Sequence, residues 1–443
     1  MIKFKTLSYL FILSLIIILS GCEKKINYSD TNSIPSDFDY SLTKDIDITV
    51  KVDDKYDGQY YYKVEIFDSD PTDPDANLIS KGLANPEQPY VATVTILKTI
   101  TYLYIRKTSY TEKETETKTV KTSEDNISVD FGTSVTSIKT KSSTTTDVYA
   151  DMFKNGNYKS WLTTTYSYNV YTYLFEDGWP NLGDYDMNDI VMNVQRIRYK
   201  KYTNNFIENM ELQVVLRAAG GVFKIGGAIQ LDGIASEDIS SISGESEDNL
   251  AGEIFNRNSN GTESNQTYAV IPLFDETHAA LGTSLTITNT ITGLKISTKA
   301  VKTISLTINF KENTVSSSDL SMKKLNVFMV HYGDNIVYKD GVNKRKEIHL
   351  AGYAPTDLGT TSLFGTGDDN SSISDVSSLY KSTTNLIWGL AVPGATISGS
   401  FIFKYPSENI EITKAYPEFN TWTTSGGKTN TDWYKNPDSE SIY

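Results

Sequence analysis

The sequence predicts a mostly β protein, a small N-terminal β-sandwich followed by a larger β-rich, jelly-roll-like domain. Three observations lead there. Apolar and polar residues alternate in short runs, as at residues 46–52, where Ile46, Ile48, Val50 and Val52 share one parity; a period of two marks a half-buried strand. Aromatic residues make up 12% of the chain and charged residues only 22%, a composition suited to packed, pleated surfaces and too apolar for a disordered chain. No long stretch carries a helical period.

The N-terminus is set apart from this pattern. Lys3 and Lys5 precede an apolar run at residues 10–19 broken only by Ser14, and the run ends in Leu19-Ser20-Gly21-Cys22. A positive start, an apolar centre and small residues at the end are the layout of a secretory signal. The run is shorter than the roughly 20 apolar residues that span a bilayer. Small residues immediately before a cysteine resemble the lipobox of bacterial lipoproteins, which implies that Cys22 is acylated and becomes the new N-terminus. Cys22 is the only cysteine of the 443 residues, so no intrachain disulfide, cysteine zinc site or thiol nucleophile is available. A terminus bearing two or more acyl chains anchors stably to a membrane. Residues 1–21 are therefore expected to be the signal, and the polar stretch 22–41 a flexible tether. The expected location is the outer membrane, facing the periplasm or exposed at the cell surface. With 41 basic and 55 acidic residues the net charge is −14, which argues against nucleic acid as a partner and is compatible with binding cations.

From residue 42 the alternation begins. Strands are expected at 46–52, 60–67, 91–97, 99–107, 115–122 and 126–131. The run Asp68-Ser69-Asp70-Pro71-Thr72-Asp73-Pro74-Asp75 is a loop, because two prolines and repeated Asp cannot continue a ladder. Short strands with polar turns at this spacing predict a sandwich over 42–131. Residues 132–147, rich in Ser, Thr and Lys, read as a linker. In the second domain, 148–443, strands are expected at 170–176, 190–202, 210–217, 268–272, 304–310, 325–330 and 397–403, and the Ser/Gly/Asn/Glu-rich stretch 236–266 as a surface excursion.

One segment carries chemistry. In Phe175-Glu176-Asp177-Gly178-Trp179-Pro180-Asn181-Leu182-Gly183-Asp184-Tyr185-Asp186-Met187-Asn188-Asp189-Ile190-Val191, five carboxylates fall between residues 176 and 189. Carboxylates crowded this way repel one another, and a hard divalent cation removes the penalty, since Ca²⁺ takes 6–8 oxygen ligands. In Asp184-x-Asp186-x-Asn188-Asp189 the oxygens alternate as in the opening of an EF-hand loop. The likeness ends there: the sixth position is Asp189 where Gly is needed, and the twelfth is Gln195 where a bidentate Glu is needed. The expected ligand set is Glu176, Asp177, Asp184, Asp186, Asn188 and Asp189, with Glu176 or Asp177 replacing the missing bidentate carboxylate and Ca²⁺ as the ion. Trp179, beside these acids, is the tryptophan expected to touch a ligand.

The same residues resemble the signature of the LruC domain of bacterial envelope lipoproteins. Further blocks follow in order: Glu347-Ile348-His349-Leu350-Ala351-Gly352-Tyr353-Ala354-Pro355-Thr356, Trp388-Gly389-Leu390-Ala391-Val392-Pro393, Tyr405-Pro406-Ser407-Glu408, Ala415-Tyr416-Pro417-Glu418-Phe419 and Asp432-Trp433-Tyr434. The resemblance covers 148–443 and implies a β-rich envelope module with an acidic loop that holds calcium. It brings no established enzymatic activity. Where the family motif is usually Asp-Tyr-Asp-Phe-Asn-Asp this chain has Met187, which leaves the oxygens in place.

Catalytic patterns are scarce. His278, His331 and His349 are the three histidines, with no His-Glu-x-x-His, and neither a Gly-x-Ser-x-Gly elbow nor a phosphate-binding glycine loop occurs. His349, between Ile348 and Leu350, reads as a structural histidine. Two carboxylates suffice for a glycosidase, and Trp161, Trp179, Trp388, Trp422 and Trp433 are candidates for a sugar-stacking platform. The expectation is a non-enzymatic adhesion or binding lipoprotein whose partner is a surface protein or a glycan. The alternatives are a glycan-binding or glycan-processing lipoprotein, separable from the first by an exposed aromatic platform beside paired carboxylates, and a structural envelope component.

Overall fold

The computed structural model describes residues 33–53, 60–109, 115–133, 164–201, 206–244, 249–250, 254–283, 287–292, 301–331, 336–337, 343–394 and 403–443. The expected signal, Cys22, the expected linker from residue 134 onward, Trp161 and most of the strand expected at 397–403 lie outside the described residues.

Seven strands build the N-terminal sandwich: β1 (Thr43–Asp53), β2 (Tyr62–Phe67), β3 (Leu78–Ala84), β4 (Tyr90–Leu97), β5 (Tyr102–Thr108), β6 (Thr115–Lys121) and β7 (Asn126–Thr133). One sheet has the order β4-β1-β7, with β1 antiparallel to β4 and parallel to β7. The facing strands run β3-β2-β5-β6. The alternation read in β1 points inward: Ile46, Ile48, Val50 and Val52 pack in one cluster with Val64, Ile66, Leu103 and Ile105. Strand β3 was not expected, because Ser80-Lys81-Gly82 lacks the β-branched and aromatic residues that mark strands. Gly82 is required there: a Cβ at that position would lie 2.5 Å from the Tyr90 ring.

The larger unit contains β8 (Thr164–Ser167), β9 (Val170–Phe175), β10 (Ile190–Lys201), β11 (Ile207–Ala218), β12 (Ile225–Ala235), β13 (Ile239–Ser243), β14 (Tyr268–Phe274), β15 (Lys302–Phe310), β16 (Leu325–His331), the short pair β17 (Ile336–Val337) and β18 (Asn343–Lys344), β19 (Glu347–His349) and β20 (Gly389–Pro393). Strands β13-β15-β11-β10 form one sheet, extended by β9 and β20, and β14-β12-β16-β19 form the other. Met192, Leu212 and Ile308 of the first share a core with Ile229, Ile271 and Val327 of the second, the interdigitation that defines a sandwich. Strand β12 also escaped the alternation rule. It is buried from Ile225 through Leu231, and a Cβ at Gly227 would lie 2.5 Å from the Phe274 ring. Helix is confined among the described residues to short pieces, including α1 (Thr277–Leu281), α2 (Ile412–Ala415) and α3 (Glu418–Thr424).

The two sandwiches share a sheet. Strand β8 pairs with β10 on one side and with β3 on the other, through Ser80–Ser167 and Lys81–Tyr166. The junction is buried and polar: the Arg196 guanidinium donates to the carbonyls of Leu320 and Thr93, and the Lys201 ammonium to that of Val91.

Two expectations are corrected. Residues 33–41 are not a tether. Ile34, Phe38 and Tyr40 are buried with Leu386, Trp422 and Trp433 in one apolar cluster, and the Phe38 and Tyr40 rings lie 5.0 and 5.9 Å from that of Trp422. The Tyr40 hydroxyl donates to the Asn385 carbonyl at 2.7 Å and Lys381 Nζ to the Phe38 carbonyl at 2.9 Å. These apolar residues pair with segments some 340 positions away, so their role is hidden in local composition. The stretch 236–266 is likewise more than surface: it supplies β13 and contains Glu263, 1% exposed and bonded to Arg345 Nη2 at 2.8 Å.

Candidate metal centre

Strands β9 and β10 pair antiparallel with Phe175 opposite Ile190, so the acidic segment is the connection at one end of a hairpin. Inside it, residues alternate in direction. Tyr185 and Met187 have φ of 60° and 57°, the left-handed region that non-glycine residues rarely adopt, at a cost of order 1–3 kcal/mol each. Burial offsets that cost, since both side chains are 1% exposed and pack in the apolar cluster with Leu174, Val191 and Trp433. The carboxylates of Asp184 and Asp186 are thereby turned the other way, toward Glu176 at the end of β9.

Glu176, Asp184 and Asp186 each bring one carboxylate oxygen within 4.8 Å of the other two. Oxygens on opposite sides of a Ca²⁺, each about 2.3–2.6 Å from it, are separated by roughly 5 Å, so one ion can touch all three. Their remaining bonds fix the loop. Glu176 accepts the Met187 N–H at 2.5 Å, and Asp186 accepts those of Asn188 at 3.2 Å and Asn409 at 2.7 Å.

The other expected ligands turn elsewhere. Asp189 accepts the Asp177 N–H at 2.7 Å. A Cβ at Gly221 would lie 2.6 Å from Asp177 Oδ2 and 3.1 Å from Asp189 Oδ1, so this pair abuts the backbone after β11. Asn188 is fully buried; its Nδ2 donates to the Pro406 carbonyl at 3.1 Å, and its Oδ1 has no hydrogen-bond partner among the described residues. A Cβ at Gly220 would lie 1.9 Å from that oxygen. Glycine at 220 and 221 is thus the condition for closing this strand end over the loop.

The electrostatics are those of an acid cluster short of positive charge. Burial first, and then neighbouring carboxylates, push Glu176, Asp186 and Asp189 well above the carboxylate range. Asp184 is raised by burial. Asp177 is pushed up to about 6 by burial and by Asp184, with Lys346 opposing the shift. Glu408, raised by burial and by Asp184, adds a further acid nearby. The largest influences on Glu176, Asp184 and Asp186 include no basic side chain. Such a cluster has two ways to stay folded at neutral pH: to hold protons or to hold a cation. Its donors are all oxygen, which suits a hard ion; the rest of a Ca²⁺ shell would come from backbone carbonyls and water.

Trp179 is not placed to touch a ligand. It is fully buried, its Nε1 donates to Asp369 at 2.7 Å, and its ring lies 5.2 Å from those of Phe364 and Tyr380. With Asp368 accepting the Leu182 N–H at 3.0 Å, Trp179 pins the acidic loop to the 364–380 segment. Trp388, Trp422 and Trp433 are buried as well, so no described tryptophan offers an open face. His349, as expected, is enclosed: its ring nitrogens lie 2.7 Å from Asn326 Oδ1 and 3.1 Å from Glu347 Oε2. Reading the sequence missed Asn409, Glu408 and the glycines 220–221. The block Tyr405-Pro406-Ser407-Glu408 was the available signal for the first two.

A family model described as "Domain of unknown function (DUF4842)" matches residues 205–434, from just before β11 to beyond α3. A crystal structure described as a "Putative lipoprotein from Bacteroides ovatus" superposes with a TM-score of 0.54 at 15% identity, covering 86% of this chain and 98% of that one. At that identity the likeness is one of fold, and it takes in both sandwiches. No curated protein matches the sequence. Among the described residues no helix is long and apolar enough to cross a membrane.

Proposed function

The chain belongs to the family described as a domain of unknown function, DUF4842, and from that premise we propose that it is a non-enzymatic, LruC-like envelope lipoprotein for adhesion or ligand binding. It is anchored to the outer membrane through a lipid on Cys22, and its larger sandwich is stiffened by Ca²⁺ at Glu176, Asp184 and Asp186. The observation that carries the reading is the convergence of these three carboxylates within 4.8 Å of one another, two of them buried. Ordering a loop with an ion lowers the ordering cost of recognition, which suits a binding protein. The Leu19-Ser20-Gly21-Cys22 string supports the anchor. The burial of the four described tryptophans weighs against the glycan-processing alternative, which asks for an open platform beside two carboxylates.

Thermal melts of the chelated full-length protein in detergent, with millimolar Ca²⁺ or Mg²⁺ added back, test this reading. A site filled to about 100 times its dissociation constant adds roughly 2.7 kcal/mol. The expected result is a rise of several degrees with Ca²⁺ and a smaller one with Mg²⁺. Equal melts with and without Ca²⁺ would remove the metal from the account.

A further inference from the structure

A second site lies away from the acidic loop. A cavity of about 510 Å³ opens between the strap at residues 37–43 and the larger sandwich, and none of the acidic-loop carboxylates lines it. The volume is that of a small-molecule site. Its buried lining includes Tyr171 and Tyr173 of β9 and Leu390 of β20, and its half-buried lining includes Tyr353 and Asp232.

The polar groups of this cavity have bonding capacity to spare. Tyr173 is 2% exposed, yet its hydroxyl forms no hydrogen bond to a described residue. Asp232 Oδ1 accepts from Gln230 at 2.8 Å and Asn326 at 3.3 Å, while Oδ2 accepts from no described residue. The Tyr353 hydroxyl donates to the Lys323 carbonyl at 3.0 Å and keeps its lone pairs to accept. Both signs of charge stand at the mouth, with Asp37 and Asp39 against Lys323 and Lys324, so neither an anion nor a cation is selected by field. An aliphatic ligand would leave Tyr173 and Asp232 uncompensated, at the cost of any polar group buried without a partner.

We propose that this cavity binds a small neutral polyhydroxylated ligand, a mono- or disaccharide. Its C–H faces lie against Tyr171 and Leu390, and its hydroxyls bond to Tyr173, Tyr353 and Asp232. A sugar presents donors and acceptors in turn along an otherwise apolar ring, and phenols beside a carboxylate accept that mixture. The strap forms one wall, so the packing of Phe38 and Tyr40 against Trp422 shapes the site. The inference rests on the reading of the chain as a binding protein and names a ligand class for it; it does not depend on the cation.

Isothermal titration calorimetry of the full-length chain in detergent with glucose, galactose, mannose, N-acetylglucosamine and maltose tests it. Saturable heat is expected from at least one sugar. Tyr173→Phe, which removes a hydroxyl that bonds to no described residue, is expected to keep the wild-type melt and weaken binding roughly threefold to tenfold; Asp232→Asn is expected to weaken it about tenfold. Silence from all five sugars at millimolar concentration overturns the inference, as does binding that both variants leave intact. So does dodecanoate binding in a protein that ignores the sugars. A protein stabilised by Ca²⁺ but blind to sugars loses this inference alone. One that binds a sugar and ignores Ca²⁺ keeps it and loses the metal.

Discussion

Asp186→Asn is expected to act with opposite weight in the metal-free and metal-loaded protein. Asp186 is 1% exposed, and burial together with Glu176 and Asp184 holds its carboxyl well above the usual range. In chelated protein that carboxyl must take up a proton or repel its neighbours, whereas the amide needs neither and keeps one acceptor oxygen. It puts one of two backbone donors, Asn188 or Asn409, at risk, a loss of about 0.5–1.5 kcal/mol. The relief and the loss oppose each other, so the metal-free variant should unfold within about 1 kcal/mol of wild type. In saturating Ca²⁺ the wild type gains roughly 2.7 kcal/mol, and the variant, with two of three clustered carboxylates left, should gain far less. At about 2–4 °C per kcal/mol for a domain of this size, the loaded proteins should melt roughly 5–10 °C apart. Urea denaturation with chelator and with millimolar Ca²⁺ supplies the four stabilities required. A variant as destabilised without Ca²⁺ as with it would mean that Asp186 holds the loop through its hydrogen bonds alone and does not bind the ion.

Three further outcomes are expected. The chelated protein should lose stability as pH rises from about 4 through 6. Asp177 is raised by burial from 3.8 to about 6, so the folded state holds a proton there that the unfolded chain has released; Ca²⁺ should flatten or reverse the slope, and a Tm that climbs over this window in chelator would contradict it. Arg345→Ala should cost about 3–5 kcal/mol in urea denaturation. It strands two buried carboxylates, Glu263 and Glu347, the second of which burial would raise but Arg345 and His349 bring down to about 2; a cost under about 1 kcal/mol would show the network to be dispensable. Phe38→Ala should cost about 3–5 kcal/mol as a core truncation, whereas a residue in a free tether would show no change in the melt.

Much of the fold was legible because its strands are amphipathic. The run Ile46-Asp47-Ile48-Thr49-Val50 has one wet face, and alternation reports it. The strands that escaped, among them β3, β8, β12, β13 and β20, are short, glycine-bearing or buried on both faces, and a period of two says nothing about them. The acidic loop was legible as a cluster because Glu176, Asp184 and Asp186 are close in sequence. Its division was not: which three carboxylates converge depends on left-handed turns at Tyr185 and Met187 and on Asn409 and Gly221 arriving from a turn and a strand connection elsewhere in the chain. Trp179 misled because adjacency to acids was all the sequence offered, while Asp369, its bonding partner, lies 190 residues away. Residues 33–41 misled in the same way, since their contacts are with segments around residues 381–422.

The most direct test of the central claim is equilibrium dialysis of the chelated full-length protein against Ca²⁺, with bound metal counted by atomic emission, beside a Glu176→Gln/Asp186→Asn double variant. Saturable Ca²⁺ is expected in wild type, and one ion per chain fewer in the variant at the same free concentration. Wild type without bound Ca²⁺ at millimolar concentration, or a double variant that binds as much as wild type, would contradict that claim.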